Sequence, residues 1–239
     1  MASRLTLTRL GAVHSALAES VRDHAAPVFK LVVGVDADVR FRHAGREGRA
    51  RAVWVPPGVA QAMWSEGVTV AFLAEPGAWQ TPWRTGVCSP VVLDACGTEV
   101  ATAIARMSLR GRASDDPEAL DAVFGRLALE GSRRCDRRVE RALERLSAES
   151  SIGDLALRVG VSPERLRHLA RRELGVSLAT WRLWQRTQRA TADVVCGRSL
   201  AGAAVDAGFS DHAHFTRSFV RFLGRTPSSM HGELSVQAG

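Results

Sequence analysis

The sequence predicts an α+β protein, in which a small N-terminal β-barrel is followed by helices and then by an all-α C-terminal domain. Three observations predict this class. Short apolar stretches punctuated by proline and glycine fill the first third of the chain, helical periodicity begins at Gly97, and one helix-turn-helix pattern occurs twice after Ser151. The 239 residues allow two domains, which we expect to span 1–131 and 132–239, each with its own core.

The barrel is predicted from short apolar runs and a proline turn. The predicted strands are Leu5–Leu10, Val28–Val35, Val39–Arg42, Ala52–Val55 and Val68–Ala74. Pro56-Pro57-Gly58 must be a turn, because proline has no N–H to donate to a sheet. Helices are then expected over 97–109 and 117–129, and the polar segment 131–134 marks the best domain boundary.

The helix-turn-helix pattern is duplicated, at about 152–174 and 199–223, and a long helix over 177–195 joins the two units. Five residues recur 48 positions later: Ile152, Ala156, Val159, Gly160 and Val161 reappear as Leu200, Ala204, Ala207, Gly208 and Phe209. Ser151 with Asp154, Ser162 and Asp211 are the predicted helix caps. Two copies are fewer than the three or so that a helical solenoid needs, which disfavours a plain scaffold.

The longer helix of each unit buries one face and exposes a basic one. Leu166, Leu169 and Ala170 face inward in the first copy, as Phe215 and Phe219 do in the second. Arginine on such a helix suits the major groove, because its guanidinium can bond guanine O6 and N7 together. The predicted DNA-binding residues are Glu164, Arg165, Arg167, His168, Arg171, Asp211, His212, His214, Thr216, Arg217 and Arg221.

Within that set we expect different roles. Glu164 would accept from a cytosine amine, Arg165 and Arg221 would meet phosphates, and the other arginines and the histidines would reach base edges or nearby phosphates. The long helix, with Leu178, Trp181 and Val195 buried, would hold the two recognition helices about 34 Å apart, the spacing of successive major grooves.

Charge supports a nucleic-acid partner at one end of the chain. The formal net charge is +7, and residues 136–239 carry 16 arginines against 11 acidic residues, so +5 of it lies in the C-terminal part. A basic half beside a nearly neutral one is typical of a protein that binds double-stranded DNA through one domain.

The C-terminal part resembles the AraC/XylS-type transcription regulators. The resemblance is carried by Gly208-Phe209-Ser210-Asp211, Phe215, Phe219, Gly224 and Thr226-Pro227 and covers about 136–231, with Thr187 departing from the family's aliphatic core residue. Trp54-Val55-Pro56-Pro57-Gly58 is similar to the cupin-type sensor domain of that family. The resemblance implies an activator that recruits RNA polymerase, a small-molecule effector and a homodimer formed by helices after the barrel.

No cofactor or metal site is expected. His14, His24 and His43 are dispersed, Gln61 stands where related sequences often have histidine, and no acid–base constellation marks an enzyme. Cys88, Cys96, Cys135 and Cys196 form no C-x-x-C pair, so reduced thiols are expected, with a Cys88–Cys96 redox pair as the alternative. Lacking a signal peptide or membrane span, the chain is expected in the cytoplasm, associated with the bacterial nucleoid.

The ligand-binding residues are left open by the sequence. Aromatic residues could line a barrel pocket or simply pack its core: Phe41, Trp54, Trp64, Phe72, Trp79 and Trp83. Two alternatives to a sequence-specific regulator remain. One is a cupin-like enzyme or ligand-binding module with an accessory DNA-binding tail. The other is a sequence-independent DNA binder, whose affinity would fall steeply with salt and show no preferred site.

Overall fold

The computed structural model describes residues 4–8, 11–17, 20–74, 89–109, 135–147, 150–230 and 234–236. The expected helix over 117–129, the boundary at 131–134, and Trp79, Trp83 and Cys88 lie outside these residues. The strands are β1 (Arg4–Thr8), β2 (Gly11–Leu17), β3 (Ser20–His24), β4 (Phe29–Gly34), β5 (Val39–His43), β6 (Arg46–Ala50), β7 (Ala52–Val55), β8 (Gln61–Trp64), β9 (Val68–Ala74), β10 (Val91–Val92) and β11 (Leu234–Val236).

The β-rich N-terminal half is confirmed, and its strands pair into two sheets. One has the order β10-β7-β4-β9-β2-β1-β11 and the other the order β3-β8-β5-β6. Side chains of β4 alternate between two apolar layers, as the pleat of a strand requires. Leu31 and Val33 pack with a helix on one side, and Val32 packs with Val39 and Met63 of the second sheet on the other. Both faces of β4 are therefore buried, which explains its nearly continuous apolar sequence.

Seven helices are described. They are α1 (Ala95–Leu109), α2 (Arg137–Glu144), α3 (Ile152–Arg158), α4 (Pro163–Leu174), α5 (Leu178–Val195), α6 (Leu200–Asp206) and α7 (His212–Leu223), with a 3-10 turn at Pro227–Met230. The two helix-turn-helix units are α3–α4 and α6–α7, joined by α5 as the sequence predicts. Leu178 and Trp181 are buried as expected, but Val194 rather than Val195 completes the buried face of α5.

Several strands escaped the sequence prediction. The sequence of β6 is mostly polar, and its residues are exposed or half-buried, so it has no apolar periodicity to detect. In the first 26 residues the sequence predicts one strand, at Leu5–Leu10, whereas the structure has three, β1, β2 and β3. The strand predicted at Leu5–Leu10 is observed at Arg4–Thr8 and pairs on both sides, with β2 and with β11.

The chain after the helical half contributes one more strand, β11 at Leu234–Val236. β11 pairs in parallel with β1, Leu5 opposite Leu234 and Leu7 opposite Val236. A three-residue strand becomes ordered only because a partner far away in the sequence supplies its hydrogen bonds. Local sequence patterns carry no signal of that pairing.

One hydrophobic cluster is shared by the two halves of the chain. Ala26, Val28 and Leu73 of the β-rich half lie in the same cluster as Trp184 and Phe222 of the helical half. The sequence predicted a separate core for each half, because periodicity shows which face of an element is apolar but not which element covers it. The second helix-turn-helix unit also has a cluster of its own around Phe215 and Phe219. No helix among the described residues has the length and apolarity needed to cross a membrane.

Leu166→Ala is expected to lower the free energy of unfolding by about 2–5 kcal/mol, because it opens a cavity in the core of the first unit. Leu166 is 0% exposed, whereas Leu157 in α3 is 81% exposed. Leu157→Ala is thus the matched control, expected to cost less than about 0.5 kcal/mol. Urea denaturation followed by circular dichroism measures both values, and equal losses would contradict the burial described.

Candidate nucleic-acid interface

The first unit presents α4 with its polar face outward. Ser162 caps the helix, its Oγ accepting from Arg165 N at 3.2 Å, and Pro163 begins it. Gly160, at φ 71°, makes the turn from α3. The predicted contact residues of this unit are all exposed: Glu164, Arg165, Arg167, His168 and Arg171. Four of them follow the spacing i, i+3, i+4, i+7 and therefore share one face of the helix.

Three ion pairs distinguish the arginines of α4. Arg167 Nη1 lies 3.2 Å from Glu164 Oε1, so these predicted contact residues are paired with each other on the surface. Arg172 is half-buried and pairs with Glu173 and, at 3.8 Å, with Asp136. Its guanidinium therefore ties α4 to the start of α2 rather than facing solvent.

The second unit presents α7 in the same way. Asp211 is the N-cap: its carboxylate accepts from His214 N at 2.7 Å and from Ser210 Oγ at 3.1 Å. These two hydrogen bonds, that of His214 first, hold the pKa of Asp211 below its usual value. The carboxylate thus caps the first turn of α7. Gly208, at φ 85°, adopts the left-handed conformation that the turn between α6 and α7 requires.

The other predicted residues of α7 differ in how exposed they are. His212 and Arg217 are exposed and Thr216 is half-buried. The His214 ring packs edge-on against Phe209, with ring centroids 5.1 Å apart, and its Nδ1 lies 3.3 Å from Ser210 Oγ. Arg221 is exposed at the far end of the helix, where its carbonyl accepts from Ala25 N at 2.9 Å.

Two arginines of α5, which sequence reasoning missed, fasten the linker to both units. Arg182 Nη2 donates to Ser150 O at 2.6 Å before α3, and Arg186 Nη1 donates to Gly208 O at 3.3 Å after α6. The pKa of Arg182 is lowered, first by burial and then by the charge of Arg186. Their spacing of one helical turn was the available signal, because side chains at i and i+4 share a face.

Thr187, where the AraC/XylS-type regulators have an aliphatic core residue, forms its hydrogen bond within its own helix. Thr187 is 1% exposed in α5, and its Oγ1 donates to Leu183 O at 2.8 Å. The hydroxyl is therefore satisfied by the preceding turn of its own helix and can stand in an apolar core.

A cavity of about 70 Å³, here called the junction cavity, lies where the end of α7 meets the two sheets. Its apolar wall combines side chains from both halves of the chain: Val21, Val32, Val39, Met63, Leu73, Phe222 and Leu223. The cationic side chains Lys30 and Arg225 also line it, with His14 and His24. Arg225 Nη1 lies 3.4 Å from His14 Nε2, so these two side chains join the halves across the cavity. An apolar space with two cations at its wall suits a small organic anion.

A buried hydrogen-bond network fixes His24 at this cavity. Lys30 Nζ lies 2.6 Å and Gln61 Nε2 3.2 Å from His24 Nε2, and His24 Nδ1 lies 2.8 Å from Arg22 O. Since the Lys30 ammonium has only donors, Nε2 accepts, and the ring carries its proton on Nδ1, which donates to Arg22 O. Burial first, and the charge of Lys30 second, lower the pKa of His24 to about 3. The ring is therefore neutral near pH 7.

Gln61, expected in place of a histidine, is a member of this network and is 1% exposed. His14 and His24 lie at the junction cavity, whereas the ring of His43 bonds Ala60 O on the second sheet. Across the part of the chain that the structure describes, histidine, cysteine and acidic side chains form no group of three that could hold a metal ion.

Comparison with known proteins agrees with this arrangement in the helical half. Residues 155–232 match a family model described as a helix-turn-helix domain. The arabinose operon regulatory proteins of Escherichia coli and Salmonella typhimurium are each 36% identical to this chain over 99 residues. That match covers 39% of this chain and 34% and 35% of theirs, so it spans about a third of those relatives. The predicted resemblance to AraC/XylS-type regulators is confirmed for this domain.

Solved structures similar in fold extend over nearly the whole chain. ToxT from Vibrio cholerae has a TM-score of 0.60 at 9% identity and covers 93% of this chain and 97% of its own. ToxT of strain SCE256 with a bound unsaturated fatty acid has a TM-score of 0.59 at 10% identity and covers 95% and 96%. ToxT of strain O395 bound to (E)-4-(8-methylnaphthalen-1-yl)but-3-enoic acid has a TM-score of 0.60 at 8% identity and covers 92% and 97%. These likenesses confirm the fold of a cupin-like half followed by a helical half.

Acidification is expected to destabilise the protein through His24. Its pKa is about 3 in the folded chain against an ordinary value of 6.5. Between those values the unfolded chain binds a proton that the folded chain does not, so the free energy of unfolding decreases as the pH falls below about 6.5. By pH 5 the loss is about 2 kcal/mol.

Urea denaturation at a series of pH values measures this effect as the slope of the free energy of unfolding against pH. His24→Gln should flatten the slope between pH 6.5 and 5, whereas His212→Gln, at an exposed position of α7, should leave it unchanged. An unaltered slope in His24→Gln would show that His24 is not the group responsible.

Proposed function

We propose that this chain is a sequence-specific, DNA-binding transcription regulator of the AraC/XylS type, and that its N-terminal half responds to a small organic anion. The observation that carries the proposal is the duplication of a capped, outward-facing basic helix, α4 and α7, on one connecting helix. The sequence similarity to the arabinose operon regulatory proteins lies in this same part of the chain and supports it.

In this proposal α4 and α7 enter successive major grooves. Arg167, His168 and Arg171 of the first helix read bases or nearby phosphates, with Glu164 accepting from a cytosine amine and Arg165 meeting a phosphate. In the second helix the corresponding residues are His212, His214, Thr216 and Arg217, with Arg221 at a phosphate. Asp211 acts as the cap that orients the start of α7 rather than as a direct contact.

The connecting helix supplies the spacing. At 1.5 Å per residue, the 18 residues of α5 span about 27 Å. Successive major grooves on one face of B-DNA are about 34 Å apart. The width of the two units adds to the length of α5 and makes up the difference. Arg182 and Arg186 add one hydrogen bond between α5 and each unit.

The effector that the junction cavity favours is a short-chain carboxylate. Two ToxT structures hold carboxylic acids, and the junction cavity of this chain combines Lys30 and Arg225 with an apolar wall. Its volume of about 70 Å³ has room for roughly five water molecules. A ligand with a similar number of heavy atoms would therefore fit. A long-chain fatty acid exceeds that space, so we propose a ligand with a short aliphatic tail.

The remaining partners follow from the proposal. As a bacterial activator the protein would work at the nucleoid and recruit RNA polymerase. A homodimer would present two pairs of helix-turn-helix units to one promoter. The ligand would act by shifting the population of conformations whose units fit the operator.

Arg217→Ala is expected to weaken binding to the protein's own selected DNA site by about 1–3 kcal/mol, since a base contact is lost. The site is first selected from random duplex DNA, and affinity is then measured by fluorescence anisotropy at about physiological salt. Arg46→Ala, which removes the same charge from the exposed strand β6, is the control and should bind like the parent. Failure of the parent to select any site, with equal and salt-sensitive binding to all duplexes, would leave the sequence-independent binder as the answer.

Arg225→Gln is expected to weaken binding of butanoate or pentanoate about tenfold or more, since a charge-assisted hydrogen bond to the carboxylate is lost. Isothermal titration calorimetry of the parent, Arg225→Gln and the control Arg46→Gln measures this. Tighter binding of a long-chain fatty acid than of the short acids would overturn the size argument. Bound stoichiometric metal in the purified protein would instead favour the cupin-like enzyme.

A further inference from the structure

We propose that the N-terminal half holds both recognition helices by the glycines that end them, Gly175 and Gly224, and that this two-point contact sets the orientation of one helix-turn-helix unit relative to the other. The inference rests on the proposed function only where it calls α4 and α7 recognition helices. Gly175 and Gly224 occupy equivalent positions of the two units, 49 residues apart.

The first contact joins Gly224 to β3. Gly224 ends α7 in the left-handed conformation, at φ 72°. A Cβ built there would lie 2.8 Å from Arg22 O and 2.9 Å from His24 Nδ1, and closer still to Val21 Cγ1. These distances are shorter than carbon atoms tolerate, so the backbone of α7 approaches β3 as closely as only glycine permits.

The end of α7 also receives a hydrogen bond from the N-terminal half. Ala25 N donates to Arg221 O at 2.9 Å. The last carbonyls of a helix have no partner within the helix, so an amide from outside satisfies one of them and fixes the direction of the helix end. Next to it, the register of β3 against β8 shifts between Val21 and His24, so the ladder is irregular at the contact.

The second contact joins Gly175 to the proline turn. Gly175 ends α4 at φ 71°, and a Cβ there would lie 3.2 Å from Pro57 O and 3.3 Å from Pro57 Cβ. In return, a Cβ on Gly58 would lie 3.0 Å from Val176 Cγ1 and 3.3 Å from Gly175 O. Two glycines with positive φ therefore face each other across the junction, and each leaves room for the backbone of the other.

Two consecutive residues connect these contacts. Ala25 donates to the end of α7, and Ala26 O accepts from Gly58 N, in the turn against α4, at 2.8 Å. Ala26 is also buried in the cluster that the two halves share. A displacement at one contact is thereby transmitted to the other through a single peptide segment. The junction cavity adjoins the Gly224 contact, since Val21, His24, Phe222, Leu223 and Arg225 line it.

The test measures the distance between the two units without DNA, so that it stands whether or not the chain proves to be a regulator. Spin labels are placed at Leu157→Cys in α3 and Val205→Cys in α6, which are 81% and 61% exposed, after the four native cysteines are replaced by alanine. Pulsed electron paramagnetic resonance then gives the distribution of label distances for the parent, Gly175→Ala and Gly224→Ala.

Gly160→Ala is the matched control. Gly160 has φ 71° like Gly175 and Gly224, but a Cβ there would meet nothing within 4 Å, so the variant carries the same backbone strain without touching the N-terminal half. We expect Gly175→Ala and Gly224→Ala to gain a second distance population, and Gly160→Ala to keep the single population of the parent. Should both contact variants give the parent's distribution while circular dichroism shows them folded, α5 alone sets the orientation and the proposal is wrong.

Discussion

Shared burial of apolar side chains between the two halves is the constraint on which the rest of the structure depends. Phe222 at the end of α7 and Trp184 of α5 pack edge to face, with ring centroids 5.7 Å apart, in the cluster that also contains Ala26, Val28 and Leu73. Separating the halves would expose this cluster to water, at a cost proportional to the apolar area. The two sheets and the helix-turn-helix units therefore share part of their buried apolar surface, beside clusters that lie within one half alone.

Polar groups enter this junction only with partners. Lys30 and His24 are 8% and 5% exposed, and the neutral imidazole accepts from the ammonium, so one of them bears a charge and the other solvates it. The ammonium therefore lines the apolar cavity beside a histidine whose ring is held in place by hydrogen bonds. A ligand carboxylate would find a preorganised charge there, because little reorganisation of the protein is needed to receive it.

The helical half was predictable from the sequence and much of the β-rich half was not. Caps such as Ser162 and Asp211, turn glycines such as Gly160 and buried stripes such as Leu166 with Leu169 are local signals, read from neighbours in the sequence. Their geometry follows as expected. By contrast, β6 has three exposed and two half-buried residues, and β11 is ordered by a partner at the opposite end of the chain, so neither has an apolar periodic pattern.

The candidate site was likewise predictable only in part. The exposed faces of α4 and α7 follow from helical periodicity, because a side chain's position on a helix is fixed by its number. The junction cavity does not, because His14, Lys30 and Arg225 come together only through tertiary packing of β2, β4 and the segment after α7. The roles of Arg182 and Arg186 in holding both units were also hidden, since their acceptors are backbone carbonyls without sequence identity.

The pairing of β11 with β1 has a kinetic consequence. It fastens the far end of the helical half to the sheet with which the chain begins, so that half is connected to the sheets at both of its ends. Should the contacts at the recognition helices open, the covalent chain and the β1–β11 pairing together keep the halves at an effective concentration of order mM. Recapture is then intramolecular and independent of protein concentration, and a competitor in solution must be present at comparable concentration to keep the halves apart.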